Sequence, residues 1–195
     1  MAQPDAWSET ALVAVAAQAG SDMTFHTITE TVDIDIGEKG FDIISTLGGG
    51  RLVKFTPQEP TTVTLEAYPV DAGTASGTTG KGFFGMLNTE GTEPLDLDSD
   101  RKRNKYRIAL LWTDSTSITT ANEEVGTGTY CMRFVAADGY FISVKPSYTD
   151  KLLKFTIVYK VPPFDKDGTA NIVIQSTDAS ATLTALASYT SSVKW

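Results

Sequence analysis

Residues 29–70 read TETVDIDIGEKGFDIISTLGGGRLVKFTPQEPTTVTLEAYPV, and two parts of that stretch decide the fold class. In the first, Val32, Ile34 and Ile36 fall on every second position while Asp33 and Asp35 take the alternate ones. A period of two marks a strand with one dry face and one wet face, and here the wet face is acidic. In the second, Val63, Leu65 and Ala67 alternate with Thr62, Thr64 and Glu66, a β-branched composition that suits a pleated, half-buried surface. No candidate catalytic group lies between them. The pattern predicts strands over 24–36, 51–56 and 61–69, with Gly48-Gly49-Gly50 as a sharp turn ahead of the middle one.

Outward from that stretch, the second half repeats the β signal at 106–113, 128–135, 140–145, 152–161, 171–176 and 182–189. Asp138-Gly139 is the dipeptide of a tight hairpin and is expected to join 128–135 to 140–145. Phe155, Ile157, Tyr159 and Val161 alternate with Lys154, Thr156, Val158 and Lys160. Pro162-Pro163 then ends that strand and Lys166-Asp167-Gly168 turns the chain back. The expected fold is mainly β: an antiparallel β-sandwich or partly closed barrel with one short flanking helix, placed at the alanine-rich N terminus or over 93–105. Residues 1–21 read as an N-terminal arm or short helix. Residues 22–195 read as a single β-sandwich domain with loop insertions at 71–105.

The chain has 195 residues, 41% of them hydrophobic, enough to bury one core. Its 24 acidic against 16 basic residues give a net charge of −8, which repels phosphate backbones and argues against sequence-specific DNA binding. Cys131 is the single cysteine, set among apolar neighbours in TYCMRF, and reads as a buried, inert thiol with no intrachain disulfide open to it. One histidine, His26, cannot build a multi-histidine zinc site. The run ALVAVAA at 11–17 follows Asp5 and Glu9 with no Lys or Arg before it, so it does not read as a cleaved signal. It is far shorter than the ~20 apolar residues of a membrane-spanning helix, and no later run approaches that length.

Several motifs fail on inspection. In DAGTASGTTGKG (71–82), Lys81 is followed by Gly82 where a phosphate-binding loop needs Ser or Thr, so the segment reads as a flexible loop. Phe83, Phe84, Met86 and Leu87 follow it as an apolar cluster expected to pack on the sheet. Next comes an electrically bipolar block: Glu90, Glu93, Asp96, Asp98 and Asp100, then Arg101, Lys102, Arg103, Lys105 and Arg107. The Asp96, Asp98, Asp100 spacing suits Ca²⁺, but an EF-hand needs Gly where Arg101 stands and Glu where Arg107 stands, and the adjacent cations compete for the carboxylates. The segment reads as a solvated or intersubunit charge pair, and no metal or other cofactor is expected. No Gly-x-Ser-x-Gly elbow occurs, and no constellation supports an enzyme. Trp7, Trp112, Trp195, Tyr140 and Phe141 read as core or interface aromatics ahead of a sugar-stacking platform.

The segment 30–73, ETVDIDIGEKGFDIISTLGGGRLVKFTPQEPTTVTLEAYPVDAG, resembles the tail-tube (major tail) proteins of long-tailed bacterial and archaeal viruses. The likeness lies in an acidic alternating strand, a Gly-rich turn, a short strand and a Thr/Glu-rich strand. It extends more weakly to KFTIVYKVPPFDKDGTANIVIQS. The resemblance implies a structural virion protein, made in the host cytoplasm and located in the tail. It implies self-assembly into stacked hexameric rings whose inner barrel conducts viral DNA without binding it specifically, with other tail proteins as further partners. It places Glu30, Asp33 and Asp35 on the lumen. By the same reading Asp96, Asp98, Asp100, Arg101 and Arg103 lock neighbouring subunits, and the loop bearing Gly73, Gly77 and Gly80 contacts the next ring. The competing readings are a monomeric β-sandwich module that binds carbohydrate or calcium, and another virion protein such as a capsid decoration or tail-completion subunit.

Overall fold

A computed structural model describes residues 10–17, 23–24, 27–69, 105–177 and 182–186. Among them the secondary structure is all β: β1 (Thr10–Ala17), β2 (Met23–Thr24), β3 (Thr27–Asp35), β4 (Phe41–Ser45), β5 (Arg51–Phe55), β6 (Thr61–Pro69), β7 (Tyr106–Thr113), β8 (Cys131–Thr149), β9 (Leu152–Val161) and β10 (Ile172–Thr177). Eight strands form one curled antiparallel half-barrel in the order β2-β1-β7-β8-β9-β6-β3, with β10 beside β8, and β4-β5 form a separate ribbon.

The short helix is not seen among the described residues. At the N terminus, residues 10–17 form β1, registered along its whole length with β7 from Thr10↔Thr113 to Ala17↔Tyr106. The reason is burial on both sides. Val13 and Val15 enter the main core, while Ala14 joins a second cluster on the opposite face, so the strand lacks the polar alternation that would have marked it. The other proposed helix, 93–105, lies almost wholly outside the described residues.

The main core fills the concave side of the half-barrel. Val13, Val15, Ile108, Leu110 and Phe134 face Val63, Leu65, Ile157 and Tyr159 across it. The second cluster, around Leu111, Cys131, Val135 and Val125, lies beneath the 114–130 connection, which is pinned by the bridge Val125↔Leu183. The expected strand over 182–189 is therefore reduced, in its described part, to that bridge. Cys131 is buried in this cluster, and burial pushes its thiol pKa up, in keeping with an unreactive side chain.

The expected Asp138-Gly139 hairpin does not form. Both residues lie inside the 19-residue β8, whose first part pairs with β7 and β10 and whose second part pairs with β9. Asp138 takes a left-handed conformation, φ 62°, within a bulge where the β7 register steps from Tyr106↔Gly139 to Ile108↔Ala136. A left-handed residue followed by Gly serves a bulge as well as a turn, and here it bends one strand without reversing it. The Lys166-Asp167-Gly168 turn does form: the Gly168 N–H donates to the Asp165 carbonyl at 3.2 Å, with Gly168 at φ 79°.

Candidate assembly surfaces

The described surface has two distinctive parts, both built by the stretch 27–69. The first is the ribbon. Gly37 starts it, pressed so closely on the 59–60 backbone that a Cβ would stand 2.0 Å from the Glu59 carbonyl oxygen. From there the two arms stay paired, Gln58 Nε2 donating to the Gly37 carbonyl at 3.0 Å and the Thr56 N–H to the Gly40 carbonyl at 2.9 Å. β4 and β5 continue in register from Phe41↔Phe55 to Ser45↔Arg51. The tip closes where the Thr46 N–H donates to the Gly50 carbonyl at 2.9 Å, with Gly49 at φ 81°. At ~3.3 Å per residue the ribbon reaches roughly 30 Å from its root.

Every residue of β4 and β5 is exposed. Pairing places Phe41, Phe55, Ile43 and Val53 on one face, with Phe41 and Phe55 60% and 63% exposed, and Ile44 and Leu52 on the other. Lys39 lies over the Phe55 ring at 5.0 Å. Among the described strands, β4 and β5 pack substantially only on each other. An isolated two-stranded ribbon is marginal in water, and contiguous exposed apolar surface marks a contact site. β4 itself went unrecognised in the sequence, because FDIIS has no single dry face.

The second part is the convex face of β3, β6, β9 and the end of β8. Asp33 and Asp35 are exposed on it, while Val32 and Ile34 point the other way and pack against the main core. Ile36, expected in the core with them, is instead 51% exposed. β3 ends at Asp35, and the chain turns toward Gly37 and the ribbon, carrying Ile36 off the ladder. Glu30 lies at the irregularity between Thr29 and Thr31, and its side chain is outside the described set.

This face is electrically mixed. Cross-strand register sets Asp35 beside Thr62, with Lys160 on the next strand beyond it, and Asp33 beside Thr64, with Val158 beyond that. Glu66 accepts from Thr31 Oγ1 at 2.5 Å and pairs with Lys154 at 2.9 Å; these bonds, Thr31 first, hold its pKa below the usual carboxylate value. Acidity is thus concentrated on the edge strand β3. Asp35, Glu38 and Glu59, with Lys160, also line an open cleft of about 460 Å³ at the ribbon's root. Among the described residues no group of three or more His, Cys, Asp or Glu could hold a metal ion. No described helix is long and apolar enough to cross a membrane.

The other expected site residues, Asp96, Asp98, Asp100, Arg101 and Arg103, and Gly73, Gly77 and Gly80, lie outside the described residues, as do the Phe83–Leu87 cluster, His26, Trp7 and Trp195. Trp112 packs against the core half-buried. Phe141 is fully buried between the rings of Tyr106 and Tyr159, 5.0 and 5.3 Å away.

Arg133, which carries no motif that would single it out in the sequence, is fully buried. Its Nε donates to Gln175 Oε1 at 3.0 Å, Nη1 to the Glu123 carbonyl at 3.1 Å and Nη2 to the Thr184 carbonyl at 2.6 Å. It fastens the 114–130 connection and residues 182–186 onto the sheet. Burial pulls its pKa down, although a guanidinium stays charged.

No family model matches the chain, and no curated protein matches it. Among solved structures, it is similar to a chain in the "anti-feeding prophage (AFP) baseplate, 6-fold symmetrised", with TM-score 0.46 and 11% identity over 93% of this chain and 100% of that one. A chain of the "Extracellular Contractile Injection System, PVC sheath/tube terminator in extended state" gives 0.45 and 13% over 90% and 99%. A chain of the "anti-feeding prophage cap (AFP tube terminating cap)" gives 0.41 and 12% over 85% and 88%. With TM-scores under 0.5, these likenesses carry no functional argument.

Proposed function

We propose that this chain is a structural subunit of a phage-like tail, and that copies of it assemble into stacked, hexameric tail-tube rings. The observation that supports this most is the β4-β5 ribbon, about 30 Å of exposed backbone carrying Phe41, Ile43, Val53 and Phe55 on one face and Ile44 and Leu52 on the other. A neighbouring copy in a ring or stack would cover that surface, and the ordering of a marginal ribbon would be repaid by the apolar area it buries. Among the described strands β3 also ends the half-barrel without a partner on its outer side, and pairing with a neighbouring copy would cover that edge. The sequence resemblance of residues 30–73 supplies the family.

In this reading the convex face of β3, β6 and β9 lines the lumen. Asp33 and Asp35, with Glu30 at the bulge, repel passing phosphates over about a Debye length, ~8 Å at physiological salt. The lysines on the same face are partly offset by Glu66, which leaves β3 as the repelling stripe. The bipolar segment with Asp96, Asp98, Asp100, Arg101 and Arg103 locks neighbours by complementary charge, and the loop with Gly73, Gly77 and Gly80 meets the next ring. Other tail proteins cap the two ends of the stack.

Negative-stain electron microscopy of the purified chain, with its mass by light scattering, tests the reading. Rings or tubes with a central channel are expected; a monomer that persists at high concentration overturns it and favours a binding module.

A further inference from the structure

β8 passes from one half of the sheet to the other, and both of its pairings are interrupted at the same level. Toward β7, the bulge at Ala137 and Asp138 breaks the register. In the other pairing, β9 accompanies Tyr140–Thr149 and β10 accompanies Cys131–Ala136, both antiparallel, with residues 162–171 looped out between them. Pro162-Pro163 opens that gap, because prolines cannot donate to a ladder. Strands that switch sheets through bulges make the corners of orthogonal β packings. A corner with unpaired backbone groups would be costly, and would be free to settle at several angles.

Here both breaks are closed by specific bonds. The Tyr159 hydroxyl, fully buried, accepts from the Gly139 N–H at 3.0 Å and donates to the Tyr106 carbonyl at 2.8 Å, with the Ala136 carbonyl at 3.2 Å as a second acceptor. Tyr106 and Gly139 are registered partners, so the hydroxyl bridges the last β7–β8 pair. Its ring approaches so closely that a Cβ on Gly139 would stand 2.2 Å from Cζ, which is why glycine occupies that position. Across β8, the Ala137 N–H donates to the Asn171 carbonyl at 2.8 Å, while Asn171 Nδ2 donates to the Pro162 carbonyl at 3.0 Å and its N–H to the Pro163 carbonyl at 2.9 Å.

We propose that the Tyr159 hydroxyl bolts a preset corner in β8, fixing the angle between the two halves of the sheet and, through it, the curvature of any ring that copies of this chain build. The second clause rests on the tail-tube reading; the first does not. A subunit whose two halves hinge freely would close rings of several sizes, whereas a bolted one closes a single size.

The test is the distance between spin labels on the two halves, at Ser176→Cys on β10 and Lys145→Cys on β8, in a Cys131→Ala background diluted with unlabelled chain. A narrow distribution is expected, and Tyr159→Phe should at least double its width while the chain still melts cooperatively. An equally narrow distribution in the variant, or a broad one in the parent, overturns the corner. Amide exchange at Gly139 in the parent gives a second reading that needs no variant: strong protection is expected, and exchange at the rate of an open loop overturns the bolt. In micrographs Tyr159→Phe should give rings of mixed diameter, and a single unchanged diameter overturns the link to curvature. If the parent is a monomer, the tail-tube reading fails while the label distances still decide the corner.

Discussion

The β8 corner and the β4-β5 ribbon are both pieces of antiparallel sheet, yet they are built oppositely. At the corner and on the stretch of β8 leading to it, Tyr159 and Arg133 bury whole side chains and spend their polar atoms on groups from distant parts of the chain. On the ribbon, Phe41, Ile43, Val53 and Phe55 stay in water, and the described hydrogen bonds run between its own arms. The contrast separates what stabilises the single chain from what is available to another one. Substitutions at the corner should cost folding free energy, and substitutions on the ribbon should cost association.

The largest effect is expected at Arg133. Arg133→Met keeps much of the apolar stem but leaves the Glu123 and Thr184 carbonyls and Gln175 without their donor. Bonds from a charged donor contribute about 1.5–3 kcal/mol each, less here because the acceptors are only part-buried and water can replace some of the loss, so a net loss of about 3 kcal/mol is expected. In a chain of this size that is roughly 10 °C in thermal midpoint. A loss below about 1 kcal/mol by urea titration would mean that the 114–130 connection holds itself.

Gly139→Ala comes next. The added methyl meets a ring packed on all sides and cannot be accommodated by a rotamer change, so about 2–3 kcal/mol is expected from overpacking. Gly139→Ala combined with Tyr159→Leu should recover part of it; no recovery would place the strain in the backbone of the bulge instead.

How far these features could be read in advance depended on how local their causes are. β6, β7 and β9 stand where alternation put them, because one wet face on each strand, or a run of apolar residues, is a local signal. β1 was hidden because burial on both faces erases alternation, leaving an alanine-rich run that suits a helix equally well. Asp138-Gly139 was legible as a special backbone site, but not as a bulge. The bulge is bonded to the Tyr159 hydroxyl, 20 residues away in sequence, a partner that no local pattern reveals. Arg133 left one trace, a cation inside TYCMRFV, but its acceptors lie 10 and 51 residues off. Asp33 and Asp35 are exposed as their pattern implied, and the mixed charge beside them became visible only once β9 was set next to β6.

A smaller effect separates the corner from the surface by pH. Burial raises the Tyr159 pKa well above that of a free tyrosine. The unfolded chain therefore releases this proton at about pH 10 while the folded chain keeps it. The stability tied to Tyr159 is complete below about pH 10 and declines as pH rises beyond it, by about 1.4 kcal/mol per unit. The informative quantity is the difference from Tyr159→Phe, which isolates the hydroxyl from every other group in the chain. The parent should lose stability more steeply between pH 10 and 11, and parallel curves would mean that the hydroxyl is reached by water.

The smallest effect on folding belongs to the ribbon. In Phe41→Ser/Phe55→Ser the two rings removed already face solvent, and among the described contacts the chain itself loses the Phe41–Phe55 cross-strand pair and the Lys39 contact with Phe55. An exposed cation–π contact of that kind contributes about 0.5–1 kcal/mol at most. The ribbon also has no substantial packing on another described strand, so its loosening does not propagate into the core, and the main unfolding transition should move by less than about 0.5 kcal/mol. Association should respond quite differently. Two aromatic side chains at the centre of an interface commonly carry about 2 kcal/mol or more each, enough to shift the concentration for assembly by a factor of about 1,000 or more. A variant that melts like the parent but sediments as a monomer would put assembly on the ribbon and stability in the body. A variant that assembles normally would leave the ribbon without a role, and would move the search for the contact between copies to β3, the last described strand of the sheet.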